Sequence, residues 1–242
     1  MNVILEFVGL SGAGKSTVAE ALLSSLRLRG YTCVHRHGIG GQGVPRPRHF
    51  TRLAAYFIRH PALLAGSLHL GRTAPRFTRS AFQEAIRFYV WSYRIAFGRK
   101  LGRDIIVLDQ GIIQEAWGLV VRETGLEAAA ILEATKEILG GARVTYALVY
   151  FDVDRDLAAR RITGRTAGES RFDTMDQAAA QRLLEAHEPL LKELFRDAVA
   201  TLGLPALRVD ARRSVEDLVG QLLGFIEKLP CPRHATSAVS GE

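Results

Sequence analysis

Residues 9–16 run Gly9, Leu10, Ser11, Gly12, Ala13, Gly14, Lys15 and Ser16, a full match to the spacing G-x-x-x-x-G-K-[ST]. That spelling suits the grip of a polyphosphate. Gly9, Gly12 and Gly14 let the backbone turn without side-chain bulk, so loop amides, those of Ser11 and Ala13 included, can converge on an anion. A helix starting near Lys15 and continuing through Thr17 adds its unsatisfied N–H groups and the positive end of its dipole. Lys15 would reach the β- and γ-phosphates, and the Ser16 hydroxyl would join a magnesium shell. The ligand this implies is a nucleotide held by its phosphates, with Mg2+ beside them.

A second element of chemistry is Asp109, which closes the apolar run Ile105–Leu108. An acid at the carboxyl end of a buried strand can organise the waters of a metal ion, together with Ser16, or accept a proton from an acceptor hydroxyl. A third is the set Arg160, Arg161, Arg165 and Arg171 around a Gly-bearing loop at 164–173. Guanidinium groups give planar, bidentate hydrogen bonds to phosphate oxygens and stay charged. On a closing loop they could neutralise a transferring phosphoryl group and expel water, with Arg165 and Arg171 better placed than Arg160. The competing reading is a solvated helix face.

Between Thr78 and Arg99, four arginines alternate with Phe82, Phe88, Tyr89, Trp91 and Tyr93. This is either an acceptor pocket or a helix that packs its aromatics inward and snorkels its arginines outward, and the two stay open. His35, Arg36, His37 and His49 match no metal-ligand spacing. Glu6 stands inside an apolar strand, where an unpaired carboxylate is costly. It needs a neighbouring cation or the site itself, and the sequence leaves that choice open.

The elements that must position these groups alternate between strand-length apolar runs and helical patterns, the mark of a parallel sheet covered on both faces. Val3–Val8 and Tyr31–His35 read as the first two strands, with a helix between them whose Val18, Leu22 and Leu26 face the core. Residues 45–100 read as helical with breaks near Pro61 and Pro75, followed by the strand Ile105–Leu108. A helical stretch at 114–139, broken near Gly125, leads to the strand Val144–Phe151. Helices at 156–163, 175–202 and 214–228 surround a short strand at 206–209, and Ser214 with Asp217 fits a capping box. From Pro230 onward the small, polar residues predict a disordered tail, 230–242.

With 242 residues, 48% hydrophobic and 24% charged, the chain can build one large α/β core. A net charge of +7, carried mostly by Arg, suits anionic small molecules first, then an acidic membrane surface; nucleic acid rests on charge alone and is not expected. Two cysteines, Cys33 and Cys231, offer neither a disulfide framework nor zinc spacing, so a cytoplasmic setting is expected. No signal peptide is expected ahead of the Gly-rich loop. Leu53–Leu70 carries Arg59, His60, Pro61 and Gly66, so it falls short of the roughly 20 apolar residues of a membrane span.

These residues together resemble the P-loop nucleoside and nucleotide kinases, and thymidylate kinase most closely, at motif level over 3–228. Phe7–Thr17 is similar to the family's ATP loop, and Asp109 falls where the family has the Asp of its Asp-Arg motif. Arg161 and Arg165, then Arg171-Phe172-Asp173, resemble its lid arginines and following triplet. Val209-Asp210-Ala211 leading into Ser214 is similar to its last strand and helix. Arg87 falls about where an Arg holds the acceptor's phosphate. The resemblance implies a P-loop NTPase three-layer sandwich with a five-stranded parallel sheet and a helical lid and acceptor region. One kinase domain would cover 1–229, with an acceptor-side helical insertion at about 45–103 and a lid at about 160–173. The implied catalytic set is Lys15, Asp109, Arg161, Arg165 and Arg171, with Arg36, Arg87 and Gln110 on the acceptor and a homodimer as a further expectation. Two departures lie on the acceptor side: Gln110 replaces the family's Arg, and His35-Arg36-His37-Gly38 only partly matches Arg-Glu-Pro-Gly. Both count against thymidylate and leave ATP use intact. The loop is also similar to that of adenylylsulfate kinase, whose acceptor motif is missing here. The expected activity is γ-phosphoryl transfer from ATP to a small, anionic acceptor such as a nucleotide. A kinase of a sugar, antibiotic or lipid-linked head group and a non-catalytic ATP-binding switch are the alternatives.

Overall fold

A computed structural model describes residues 3–35, 46–74, 78–121, 126–141, 144–164 and 176–230. Five parallel strands form one sheet: β1 (Val3–Gly9), β2 (Cys33–His35), β3 (Ile105–Leu108), β4 (Thr145–Asp152) and β5 (Ala206–Asp210), in the order β2-β3-β1-β4-β5. The three inner strands are buried almost end to end, which is why they read as unbroken apolar runs rather than alternating ones. The outer strands are only partly covered. The sequence pattern overextends β2 by two residues, because Tyr31 and Thr32 lie at an edge where pairing to β3 starts only at Cys33↔Ile105.

Nine helices are defined among the described residues, beginning with α1 (Lys15–Leu28), α2 (Arg46–Arg59), α3 (Pro61–Arg72), α4 (Arg79–Lys100) and α5 (Ile112–Val121). The rest are α6 (Ala128–Gly140), α7 (Arg155–Thr163), α8 (Gln177–Leu202) and α9 (Val215–Lys228). The crossover from β1 to β2 runs one way along the sheet, while those from β2 to β3, β3 to β4 and β4 to β5 run the other. Right-handed crossovers therefore put α1 on one face and α2–α8 on the opposite one. The packing agrees: α1 rests on α9, whereas α5 rests on β1, α4, α6 and α8. The result is the expected three-layer α/β sandwich.

Local signals account for most boundaries. Thr78, Asp154, Asp176 and Ser214 each accept a backbone N–H from three residues ahead, at 2.7 to 3.1 Å, starting α4, α7, α8 and α9. Pro61 begins α3 at its first turn, splitting the helical stretch as the sequence suggests. Val18, Leu22 and Leu26 are buried against the sheet. No helix among the described residues is long and apolar enough to cross a membrane. The tail from 231 onward lies outside the described residues.

Because Leu22 is fully buried between α1 and the sheet, Leu22→Ala is expected to cost about 2–5 kcal/mol. The check is the shift in chemical-denaturation midpoint at unchanged slope.

Candidate phosphate-binding site

The loop between β1 and α1 sits at the carboxyl edge of the sheet, beside the point where the crossovers change direction. Open α/β sheets place ligands in that crevice. The loop is closed by Ala13 N–H donating to the Leu10 carbonyl at 3.2 Å. Gly12 has φ of 84°, and a Cβ there would stand 2.4 Å from the Ala158 carbonyl oxygen on α7, a contact no side chain tolerates. Gly14 takes the first position before α1 with no side-chain cap, so the leading amides of the helix are not claimed by a capping side chain. Those amides, with the dipole behind them, make an anion cradle.

Lys15 is buried at the base of this cradle, its Nζ donating to the Gly9 carbonyl at 2.6 Å and the Leu10 carbonyl at 2.9 Å. The ammonium is therefore held inside the loop. Ser16 Oγ donates to Asp109 Oδ2 at 2.6 Å across the gap between α1 and β3. Asp109 is almost fully buried, and its other oxygen faces His35 Nε2 at 3.3 Å. Arg161, near the end of α7, reaches the Gly12 carbonyl at 3.5 Å and the Ala211 carbonyl at 3.4 Å. Four groups from three separate stretches of the sequence thus meet around one loop: an ammonium, a hydroxyl, a carboxylate and a guanidinium.

This donor set fits magnesium bound to a nucleotide. A hydroxyl and a carboxylate provide hard oxygen ligands, and a cation of this size takes most of its remaining shell from water and phosphate. No cluster of three or more His, Cys, Asp or Glu that could cage a metal occurs among the described residues.

Glu6 has neither of the partners the sequence suggested. Its carboxylate is fully buried and accepts N–H bonds from Ile113 at 3.2 Å and Gln114 at 2.9 Å, and an O–H bond from Tyr146. It caps the start of α5 from within the neighbouring strand. Gly111 makes room for it, since a Cβ at that position would lie 2.4 Å from the Glu6 carboxyl carbon. Gln114, on the same turn of α5, accepts the Gly9 N–H at 3.1 Å through its side chain. Glu6 is thereby linked to the phosphate loop through α5. Burial pushes its carboxyl up to about 7, the donated hydrogen bonds offsetting only part of that rise. Burial first, and then the adjacent Glu6, pushes the Tyr146 hydroxyl well above its usual range.

Arg87 is exposed on α4 and paired with Glu84 at 2.8 Å. Gln110 is exposed just past Asp109. Phe88, Tyr89 and Trp91 are buried and Arg94 lies over the Trp91 ring at 4.7 Å, which favours inward aromatic packing over an open acceptor pocket along that stretch. Arg36, Arg165, Arg171 and most of the lid segment lie outside the described residues. The sequence marks His35 only among other histidines and gives no sign of its contact with Asp109, nor of the parts taken by Gln114 and Tyr146. Only Glu6, a carboxylate in an apolar strand, signalled that such partners had to exist.

No family model and no curated protein matches this chain. Among solved structures it is similar to deoxyadenosine kinase from M. mycoides with bound dATP, at 15% identity and a TM-score of 0.47, over 93% of this chain and 98% of that one. No activity follows from a likeness at that level. The site rests on its own geometry.

The raised value at Glu6 gives stability a pH dependence of definite sign. The folded state holds this proton more tightly than the unfolded chain does, so the contribution is full below about 4.5 and is lost as pH rises to about 7. The loss is on the order of 3 kcal/mol. Denaturation profiles between pH 4.5 and 7.5 should show Glu6→Gln lacking this downward slope relative to the parent protein.

Proposed function

We propose that this protein is an ATP-dependent phosphotransferase of the P-loop kinase type. It would move the γ-phosphoryl group of ATP to a small acceptor, with nucleotides first among those to test. The single observation that carries this reading is the convergence of Lys15, Ser16 and Asp109 on one glycine-shaped loop, with Arg161 above it. Such a set has little use in a structural turn. It supplies each thing that phosphoryl transfer requires: a cradle for the donor, positive charge for the equatorial oxygens, and a carboxylate near the reacting end.

In this mechanism the amides leading into α1 would bind the donor's phosphates. Lys15 would exchange its loop carbonyls for the β- and γ-oxygens. Ser16 and Asp109 would hold magnesium, which when bound supplies charge neutralisation to those oxygens. An acceptor oxygen would attack the γ-phosphorus as the bond to the β–γ bridging oxygen breaks, leaving ADP. Arg161 would stabilise the charge on the phosphoryl group in flight. His35, against the far oxygen of Asp109, would fix how that carboxylate is presented. The resemblance adds Arg165 and Arg171 as lid residues and Arg36, Arg87 and Gln110 as acceptor contacts. With Gln110 replacing an Arg, a substrate other than thymidylate is expected.

The experiment is transfer of labelled γ-phosphate from ATP to a panel of nucleosides, nucleoside monophosphates, sugars and aminoglycosides, with and without magnesium. Lys15→Ala should abolish turnover with the thermal midpoint retained, and Asp109→Asn should lower it at least 100-fold, about 3 kcal/mol of transition-state stabilisation. Full activity of Lys15→Ala, or no heat on titration with magnesium–ATP, would reject the proposal.

A further inference from the structure

The helical excursion between β2 and β3 carries a second set of charges that the phosphate site does not use. A groove of about 690 Å³ lies among α2, α3, the end of α4 and the end of α6, and a neighbouring hollow of about 530 Å³ shares its wall. It lies at the amino edge of the sheet, since Lys100 and Gly141 on its rim closely precede β3 and β4. The length of β1, seven residues, separates the two edges by roughly 20 Å at about 3.3 Å per residue. The groove is thus distinct from the phosphate loop.

Its wall is aromatic. Tyr56 meets Tyr93 edge to face at 5.4 Å, and Tyr93 stacks on Phe97 at 6.1 Å. Its rim is basic: Arg59, Arg99 and Lys100 line the larger cavity, and Arg52 joins Arg59 and Lys100 around the smaller. No carboxylate among the described residues pairs with Arg52, Arg59 or Lys100. The one acid on the wall, Glu137, accepts the Tyr89 hydroxyl at 2.6 Å instead. The hollow of about 820 Å³ beside Tyr150 shows the contrast. Its cations are each neutralised, Lys192 by Glu188, Arg196 by Glu193 and Arg208 by Asp152. Beside the basic groove, Ile58 is 80% and Leu64 49% exposed, so large apolar side chains in α2 and α3 stand in solvent next to its cationic rim.

We propose that this groove binds an anionic amphiphile, a phosphate or carboxylate head on an aliphatic or flat apolar body. The head would sit among Arg59, Lys100 and Arg52, and the body would lie along Tyr56, Tyr93 and Phe97. A cavity of this size takes a small organic molecule with most of its surface covered. The same chemistry is offered by a soluble organic monoester and by the head group and upper chain of a bilayer lipid, for which basic, aromatic helices with exposed apolar residues are suited.

The test uses the full chain with octyl phosphate by calorimetry, and co-sedimentation with vesicles of phosphatidylcholine alone or mixed with phosphatidylglycerol. Octyl phosphate should bind saturably, and binding should survive Lys15→Ala, which separates this groove from the phosphate loop. The pair Arg59→Glu with Lys100→Glu should weaken binding about tenfold or more, whereas Arg59→Lys with Lys100→Arg should retain it. Both positions are exposed, so thermal midpoints should stay near the parent's, and Arg52→Glu with Lys100→Glu provides a second variant. Capture by phosphatidylglycerol vesicles, reversed by octyl phosphate, supports the proposal with a bilayer as the source. Binding of octyl phosphate without vesicle capture supports it with a soluble source. Failure of octyl phosphate and both vesicles to bind, unchanged binding in the charge-reversed variants, or loss of binding in Lys15→Ala overturns it. None of these results bears on transfer from ATP.

Discussion

A carboxylate buried in the middle of the central strand sets the geometry on which the rest depends. Glu6 cannot be left without donors in that position, and it obtains them from the first amides of α5 and from Tyr146 on β4. One side chain therefore ties β1, β4 and α5 together. Because Gln114 on that same turn holds the Gly9 amide, the start of the phosphate loop inherits its position from the same arrangement. Hydrogen bonds to a buried acceptor are directional in a way that apolar packing is not, so this contact fixes the entry of α5 more sharply than the surrounding core can.

The loop in turn depends on how near α7 can come. With a hydrogen in place of a side chain at Gly12, the Ala158 carbonyl can close on the turn, and that approach is what brings Arg161 over it. The positively charged residue closing the site from above and the glycine spacing below are thus two aspects of one fit. Asp109 arrives from the other direction, carried by β3, and meets Ser16 only because β3 lies directly beside β1.

Much of this was legible in the sequence, for specific reasons. Ile105–Leu108 read as a buried strand because both its faces are covered, and that placed Asp109 at its carboxyl end without further assumption. The glycine-rich turn between β1 and α1 is a local motif with its own backbone requirements, so spacing alone marked it. The aromatic stretch in α4 could not be settled, since Phe88 and Tyr89 have the same spelling whether they stack on a ligand or pack inward. The partners of His35 and Gln114 were invisible for another reason. Each acquires its meaning from a residue that is remote along the chain, Asp109 in one case and Gly9 in the other, and no periodicity marks such pairs.

An open sheet of parallel strands leaves two rims whose backbone groups could recruit a further strand. Among the described residues each rim is short, three residues in β2 and five in β5. On β5, Arg208 stands in solvent, reaches back to Asp152 on β4 and lies over the Tyr150 ring, so a hydrated ion pair spans the outermost pair of strands. Brevity blunts both borders against strand addition. The protein can therefore keep a highly apolar sheet interior without offering a template for fibrous self-assembly.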